Sequence, residues 1–136
     1  MARSKRAVGA VLLVAVAACG GNSEIVEPGN LRFCEIHAEI EAIRGEMGFS
    51  ATAKELETGW HKQLPLFEEW PQVAPAAIRA DAQLEFAFML AITPVYADAG
   101  FAVGLIDTEA VRAVNSEYAE VTAATDRIAE WVDDHC

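Results

Sequence analysis

Seven positions near one end of the chain, Val111, Val114, Tyr118, Val121, Thr125, Ile128 and Val132, follow one another at alternating steps of three and four. That spacing keeps side chains on one face of an α-helix, and six of the seven are apolar or aromatic. Thr125 is the exception. Its hydroxyl can bond back to the carbonyl of Val121, and Ala124 beside it keeps the stripe small and apolar. A helix with so regular a stripe needs other helices to cover it. Asp107 or Thr108 is expected to cap its start.

Three further segments carry the same period, and none alternates as a strand does. The first begins near Asn30, a residue suited to an N-cap, and sets Phe33, Ile36, Ile40, Ile43 and Met47 along one face before Gly45 and Gly48 mark its end. The second runs from about Ser50, with Ala53, Leu56, Trp60, Leu64 and Phe67 on one side; Pro65 and Pro71 are expected to kink or stop it. The third opens at Ala74-Pro75, where proline suits a first turn. It continues through Ile78, Ala82, Phe86, Met89 and Leu90, with Pro94 following. From Phe86 to Ala97 it is apolar on nearly every side, which marks a helix that is central or covered, and Tyr96 to Ile106 is expected to supply that cover as a loop. The pattern predicts an all-α domain over residues 30–136, a four-helix up-down-up-down bundle.

The first 29 residues are of another kind. Arg3, Lys5 and Arg6 precede an uncharged run from Ala7 to Ala18, the layout of a secretory signal. Those twelve residues fall short of the ~20 that a spanning helix needs. The run ends in Val16-Ala17-Ala18-Cys19, which resembles the lipobox of bacterial lipoproteins, where an acylated cysteine becomes the new N-terminus. Residues 1–18 are therefore expected to be removed as a lipoprotein signal peptide, with Cys19 lipidated and the chain held outside the cytoplasmic membrane by that lipid. Stable anchoring takes two acyl chains or more, each buried methylene contributing about 0.8 kcal/mol. The alternative is an ordinary signal cut after Ala15-Val16-Ala17, with Cys19 incidental. Residues 19–29, containing Gly20-Gly21-Asn22-Ser23 and Pro28-Gly29, have the composition of a flexible linker.

Cleavage leaves two cysteines, Cys34 and Cys136. In an oxidising compartment such a pair reads as a disulfide. The first and fourth helices of an up-down-up-down bundle are antiparallel, so the start of one meets the end of the other; Cys136 lies four beyond Val132 and continues its stripe. A disulfide there would close the bundle from N- to C-terminus. Cleavage also removes three of the ten basic residues and none of the 21 acids, taking the formal net charge from −11 to −14. Nucleic acid is thereby disfavoured as a partner, as is peripheral docking on anionic lipid.

Residues that carry chemistry are sparse. Cys34, His37, His135 and Cys136 would gather at the joined chain ends as a zinc-type ligand set. The competing arrangement is a disulfide with two bystander histidines, and it is preferred because adjacent His135 and Cys136 point apart on a helix. No metal or cofactor is expected. The Glu-x-x-His pair of di-iron bundles is missing, since Cys34, Thr58 and Val132 stand three before the histidines. Glu57–His61 and His37–Glu41 have the spacing of solvated helix pairs, and Asp98 to Asp107 does not follow the calcium-loop order. There is no Gly-x-Ser-x-Gly, no phosphate-binding glycine loop and no His-Glu-x-x-His, so no catalytic residue is assigned. Glu35, Glu39 and Glu46 on the first helix, and Asp126, Glu130, Asp133 and Asp134 on the fourth, make either a solvated face or a docking face for a cationic partner.

Val16-Ala17-Ala18-Cys19, Phe33-Cys34, Ala74-Pro75-Ala76-Ala77-Ile78-Arg79, and Asp126-Arg127-Ile128-Ala129-Glu130-Trp131 with a cysteine a few residues on give the chain a family look over most of its mature length. It resembles small lipoproteins of actinobacterial type, which implies an extracytoplasmic helical bundle and no particular activity. The expected role is non-catalytic, an interaction or structural part in the cell envelope with a protein partner. The alternative is a carrier for an apolar small molecule or lipid, with Phe86 to Ala97, Trp60, Trp70 and Phe101 as lining.

Overall fold

A computed structural model describes residues 29–48 and 50–136. The expected signal peptide (1–18), Cys19 with its lipid, and the linker up to residue 28 lie outside the described residues. Among the described residues there are five α-helices, one short 3-10 turn at Val103–Leu105 and no strand. The α-helices are α1 Leu31–Glu46, α2 Ala53–Val73, α3 Arg79–Asp98, α4 Thr108–Glu117 and α5 Val121–His135. No helix among these residues is long and apolar enough to cross a membrane.

Asn30 occupies the N-cap position of α1, but its side chain makes no capping bond. The helix buries Phe33, Ile36 and Ile40, as the stripe predicts, while Ile43 and Met47 are half-buried. α2 opens on a capping box: the Thr52 hydroxyl accepts from Glu55 N–H, and the Glu55 carboxylate accepts from Thr52 N–H at 2.7 Å. Pro65 and Pro71 do not stop it. Each proline lacks one amide donor, and a helix held by tertiary packing on both sides tolerates that loss. Its buried line, Gly59, Gln63, Phe67 and Trp70, is rotated from the predicted one, and the Met47 thioether lies over Gly59, where a Cβ would collide with it.

α3 starts at Arg79, after a turn in which Ile78 N–H bonds to Pro75 O at 3.1 Å. It is likewise continuous through Pro94 and reaches Asp98, so Tyr96 to Asp98 are helical where a loop is predicted. It ends in a Schellman arrangement, with Gly100 N–H on Ala97 O and Phe101 N–H on Tyr96 O, both at 2.9 Å. Gly100 has φ 58° and Phe101 φ 59°. A phenylalanine rarely adopts that conformation; here its ring is buried beside Trp60 and His61.

The predicted fourth helix is two helices. Asp107 caps α4, its carboxylate accepting from Glu109 N–H at 2.9 Å and Ala110 N–H at 3.2 Å. The helical hydrogen-bond ladder breaks over Tyr118 to Glu120, where Val121 N–H turns back to Tyr118 O at 2.9 Å. The break lets both stripes face α3. Val111, Val114 and Tyr118 of α4 are half-buried, whereas α5 buries Ala124 and Ile128 and leaves Thr125 exposed. The Thr125 hydroxyl donates to Val121 O at 3.0 Å, as expected.

α3 packs against α2, α4 and α5, and α1 packs against α2. Two bidentate ion pairs join neighbours: Arg32 to Glu69 at 2.7 and 2.8 Å between α1 and α2, and Arg127 to Asp81 at 3.0 and 2.6 Å between α5 and α3. The Cys34–Cys136 disulfide joins the start of α1 to the end of α5, with Cα atoms 5.6 Å apart. Beneath it Phe33 stacks on Trp70 at 5.1 Å between centroids and meets Trp131 edge-on at 5.4 Å.

The bond closes a sequence separation of 102 residues, and a loop near that length gives on the order of 4.7 kcal/mol in the chain-entropy treatment, an upper figure for native bridges. Cys136→Ser is expected to lower the free energy of urea unfolding by about 2–5 kcal/mol. Dithiothreitol should produce the same loss in the wild type and none in the variant. Equal stability of the two proteins would show that the packed rings alone hold the ends together.

Candidate functional site

At the α4–α5 break lies a cavity of about 330 Å³, bordered by α1, α2, α3, α4 and α5. Phe67, Phe88, Met89 and Val121 give it apolar walls; Arg44, Asn115, Thr122 and Asp126 are polar groups on its lining. Glu85 of α3 also lines it and is only 4% exposed. The sequence explains that burial. Ile78, Ala82, Glu85, Met89 and Ile92 step by four, three, four and three, and all five are buried, so Glu85 occupies a core position on the helix face that carries the other four.

Among the described residues the Glu85 carboxylate has no ion-pair partner within 4.0 Å. Burial pushes its pKa above the usual carboxylate range. The Thr125 hydroxyl, within hydrogen-bonding reach, and the positive charge of Arg44 pull the other way, while Glu41 and Asp81 raise it further. The Thr125 hydroxyl has a single proton, for which Val121 O, at 3.0 Å, competes with Glu85. Arg44 is engaged too. It pairs with Glu41 at 2.7 Å and sits 5.5 Å above the Phe67 ring.

Two further openings among the described residues lack such a group. A groove of about 430 Å³ between α2 and α3 is lined by Leu64, Pro65, Glu68, Phe86 and Leu90, with Leu90 52% exposed. A hollow of about 270 Å³ near the disulfide holds Asp81, but that carboxylate already pairs with Arg127.

The structure disperses most of the residues singled out from sequence. Cys34 and Cys136 are bonded to one another, so neither is a thiolate that could ligate zinc. His135 stacks on Trp131 at 4.4 Å, its Nδ1 2.8 Å from Trp131 O. His37 lies 5.9 Å from the Trp70 ring, and burial lowers its pKa. Glu57 pairs with Lys54 at 2.9 Å. Trp70 is core, not lining: it is 2% exposed and wedged between Phe33 and Phe67. Trp60 stacks on Tyr96 at 4.5 Å and donates its N–H to Thr93 at 2.9 Å, away from this cavity, and Phe101 packs beside it. Of the apolar stretch 86–97, Phe88 and Met89 reach the cavity. Asp126, one of the acids noted on the fourth segment, reaches it as well. Glu85 and Arg44 were not singled out; the period of the third helix is the signal that marks the first.

No protein-family model matches the chain, and no curated protein or solved structure matches it.

A raised folded-state pKa means that the folded protein binds more protons than the unfolded chain between the two pKa values. The Glu85 contribution is therefore whole below the ordinary glutamate pKa, about 4.3, and is lost as pH rises through the folded value. Glu85→Gln removes this term. The variant is expected to be more stable than the wild type at pH 7, with the two converging near pH 4, as read by thermal unfolding across that range. Carboxylates held low by hydrogen bonds, such as Glu55 and Glu69, are common to both proteins and cancel in the difference. Parallel curves would mean that Glu85 does not titrate differently on folding.

Proposed function

We propose that this is a non-catalytic binding protein of the cell envelope, exported, freed of residues 1–18 and held outside the cytoplasmic membrane by a lipid on Cys19. The signal pattern and Val16-Ala17-Ala18-Cys19 support the address. Short connections between successive helices and the tie between residues 34 and 136 support an up-down-up-down bundle in which α4 and α5 together take the place of one fourth helix. Of the two roles expected from sequence, protein contact or small-ligand carriage, the second is favoured by one observation: a cavity with aromatic walls and a buried carboxyl, at the lower end of the ~300–1,000 Å³ range of ligand sites.

Two measurements test this. The N-terminal peptide of protein purified from its membrane is expected to begin at Cys19 and carry a diacylglyceryl mass, which Cys19→Ser abolishes; an unmodified peptide beginning at residue 18 or 19 would defeat the anchor. For the cavity, the full chain in dodecyl maltoside is titrated against 2-(4-fluorophenyl)ethanol and 2-(4-fluorophenyl)ethylamine and followed by ¹⁹F NMR. At least one probe should broaden on the wild type and not on Thr122→Trp, whose indole is introduced at an exposed lining position. Unchanged unfolding of that variant would show that the fold survives. Broadening of neither probe, or broadening indifferent to the tryptophan, would remove the small-ligand role.

A further inference from the structure

Resting on the small-ligand role above, we propose that the cavity at the α4–α5 break takes an organic ammonium ion with an apolar body, the charged nitrogen against Glu85 and the body against Phe67, Phe88 and Met89. Three observations converge on a cation.

The first is the state of the protein's own cations. After residue 28 there are seven Lys and Arg residues, and all are engaged. Arg32 holds Glu35, Glu39 and Glu69; Arg44 holds Glu41; Lys54 holds Glu57; Lys62 holds Glu46; Arg112 holds Glu109; Arg127 holds Asp81. Arg79 donates to Ala74 O at 3.0 and 3.1 Å. Six of the seven thus already carry an acidic partner, and Arg79 lies away from the cavity lining. In the cavity the two acids, Glu85 and Asp126, form no ion pair among the described residues, while the one cation, Arg44, is already neutralised.

The second is burial. A surface acid needs no partner, but the Glu85 residue is only 4% exposed, and the desolvation of a buried acid is offset by a paired charge or by neutrality. The neighbouring Thr125 hydroxyl has one proton for two acceptors, Glu85 and Val121 O, and brings no charge. A ligand ammonium brings the missing charge and further donors. The third is the surroundings. Aromatic walls suit a cation, and the Arg44 guanidinium over Phe67 is one already in place. With 21 acids against ten basic residues, the field of the whole protein also favours approach of cations over anions.

The test extends the ¹⁹F titration to three probes sharing one skeleton: 2-(4-fluorophenyl)ethylamine, 2-(4-fluorophenyl)ethanol and 4-fluorophenylacetate, on the full chain in dodecyl maltoside at pH 7. The amine should bind at least roughly tenfold more tightly than the alcohol, as expected of a charge-assisted bond in a shielded site, and the acetate least. Glu85→Gln keeps the shape and removes the charge; it should bring the amine to within about twofold of the alcohol. Amine and alcohol binding alike, with both lost in Thr122→Trp, would overturn the cation preference and leave the small-ligand role standing. An amine preference that survives Glu85→Gln would overturn the role of Glu85. Tighter binding of the acetate would reverse the charge assignment, and binding of none of the three would remove both proposals.

Discussion

The covalent bond between residues 34 and 136 sets the geometry on which the rest depends. Phe33 precedes Cys34, and Trp131 stands five residues before Cys136, so the bond brings two large rings together beside Trp70. Aromatic pairs of this kind add about 0.5–1.5 kcal/mol each beyond their burial. From this knot α1 and α5 both lead away toward the cavity. Arg44 is ten residues along α1 from Cys34, about 15 Å at the helical rise. Val121 is fifteen residues back along α5 from Cys136, about 22 Å. The clamp and the cavity are thus opposite ends of one frame. The aromatic rings pack on one another where the chain ends meet, and the larger of the two hollows along α5 opens where that helix starts.

That opening follows from how the last two helices share α3. Val111, Val114 and Tyr118 face it from α4, with Tyr118 meeting Phe88 edge-on at 6.0 Å. Ala124 and Ile128 face it from α5. The turn at Tyr118 to Glu120 rotates one stripe relative to the other, and the wall at that level is left to small and polar side chains: Asn115, Thr122 and Thr125. Had the helix continued unbroken, the predicted seam would have set Thr125 against the core. Past the break Ala124 takes the buried position, and Thr125 stands at the cavity wall instead.

The helical class, the face of α1, the Asp107 cap and the cysteine pair were legible because each rests on local chemistry or on a period of 3.6. The boundaries were less so. Thr52-Ala53-Lys54-Glu55 is a capping-box sequence and announces the start of α2 more sharply than Ser50 does. Pro65, Pro71 and Pro94 look like terminators because propensity is local, whereas the packing that overrides them is tertiary. The turn at residues 118–120 contains neither glycine nor proline, so no local signal marks it. As for the site, Glu85 was hidden by expectation rather than by lack of signal. An acid on a helix is ordinarily assigned to solvent, and only the register through Ile78, Ala82, Met89 and Ile92 places it inside.

Two buried groups are short of partners in different ways: among the described residues the Trp70 N–H has no acceptor and Glu85 has no ion pair. The unaccepted Trp70 N–H costs about 1–3 kcal/mol. Its ring contacts Phe33, Phe67 and His37, and burial of that large apolar surface offsets the loss. Glu85 has no comparable gain. Its side chain is short of apolar area, Leu or Met would fill the same position on the stripe, and the adjoining space is not filled by another side chain. Departures from local consistency without a structural return concentrate where a protein contacts something else. Of the two, it is the acid beside the empty volume that has the physical character of a site, while the indole is a packing compromise within the clamp.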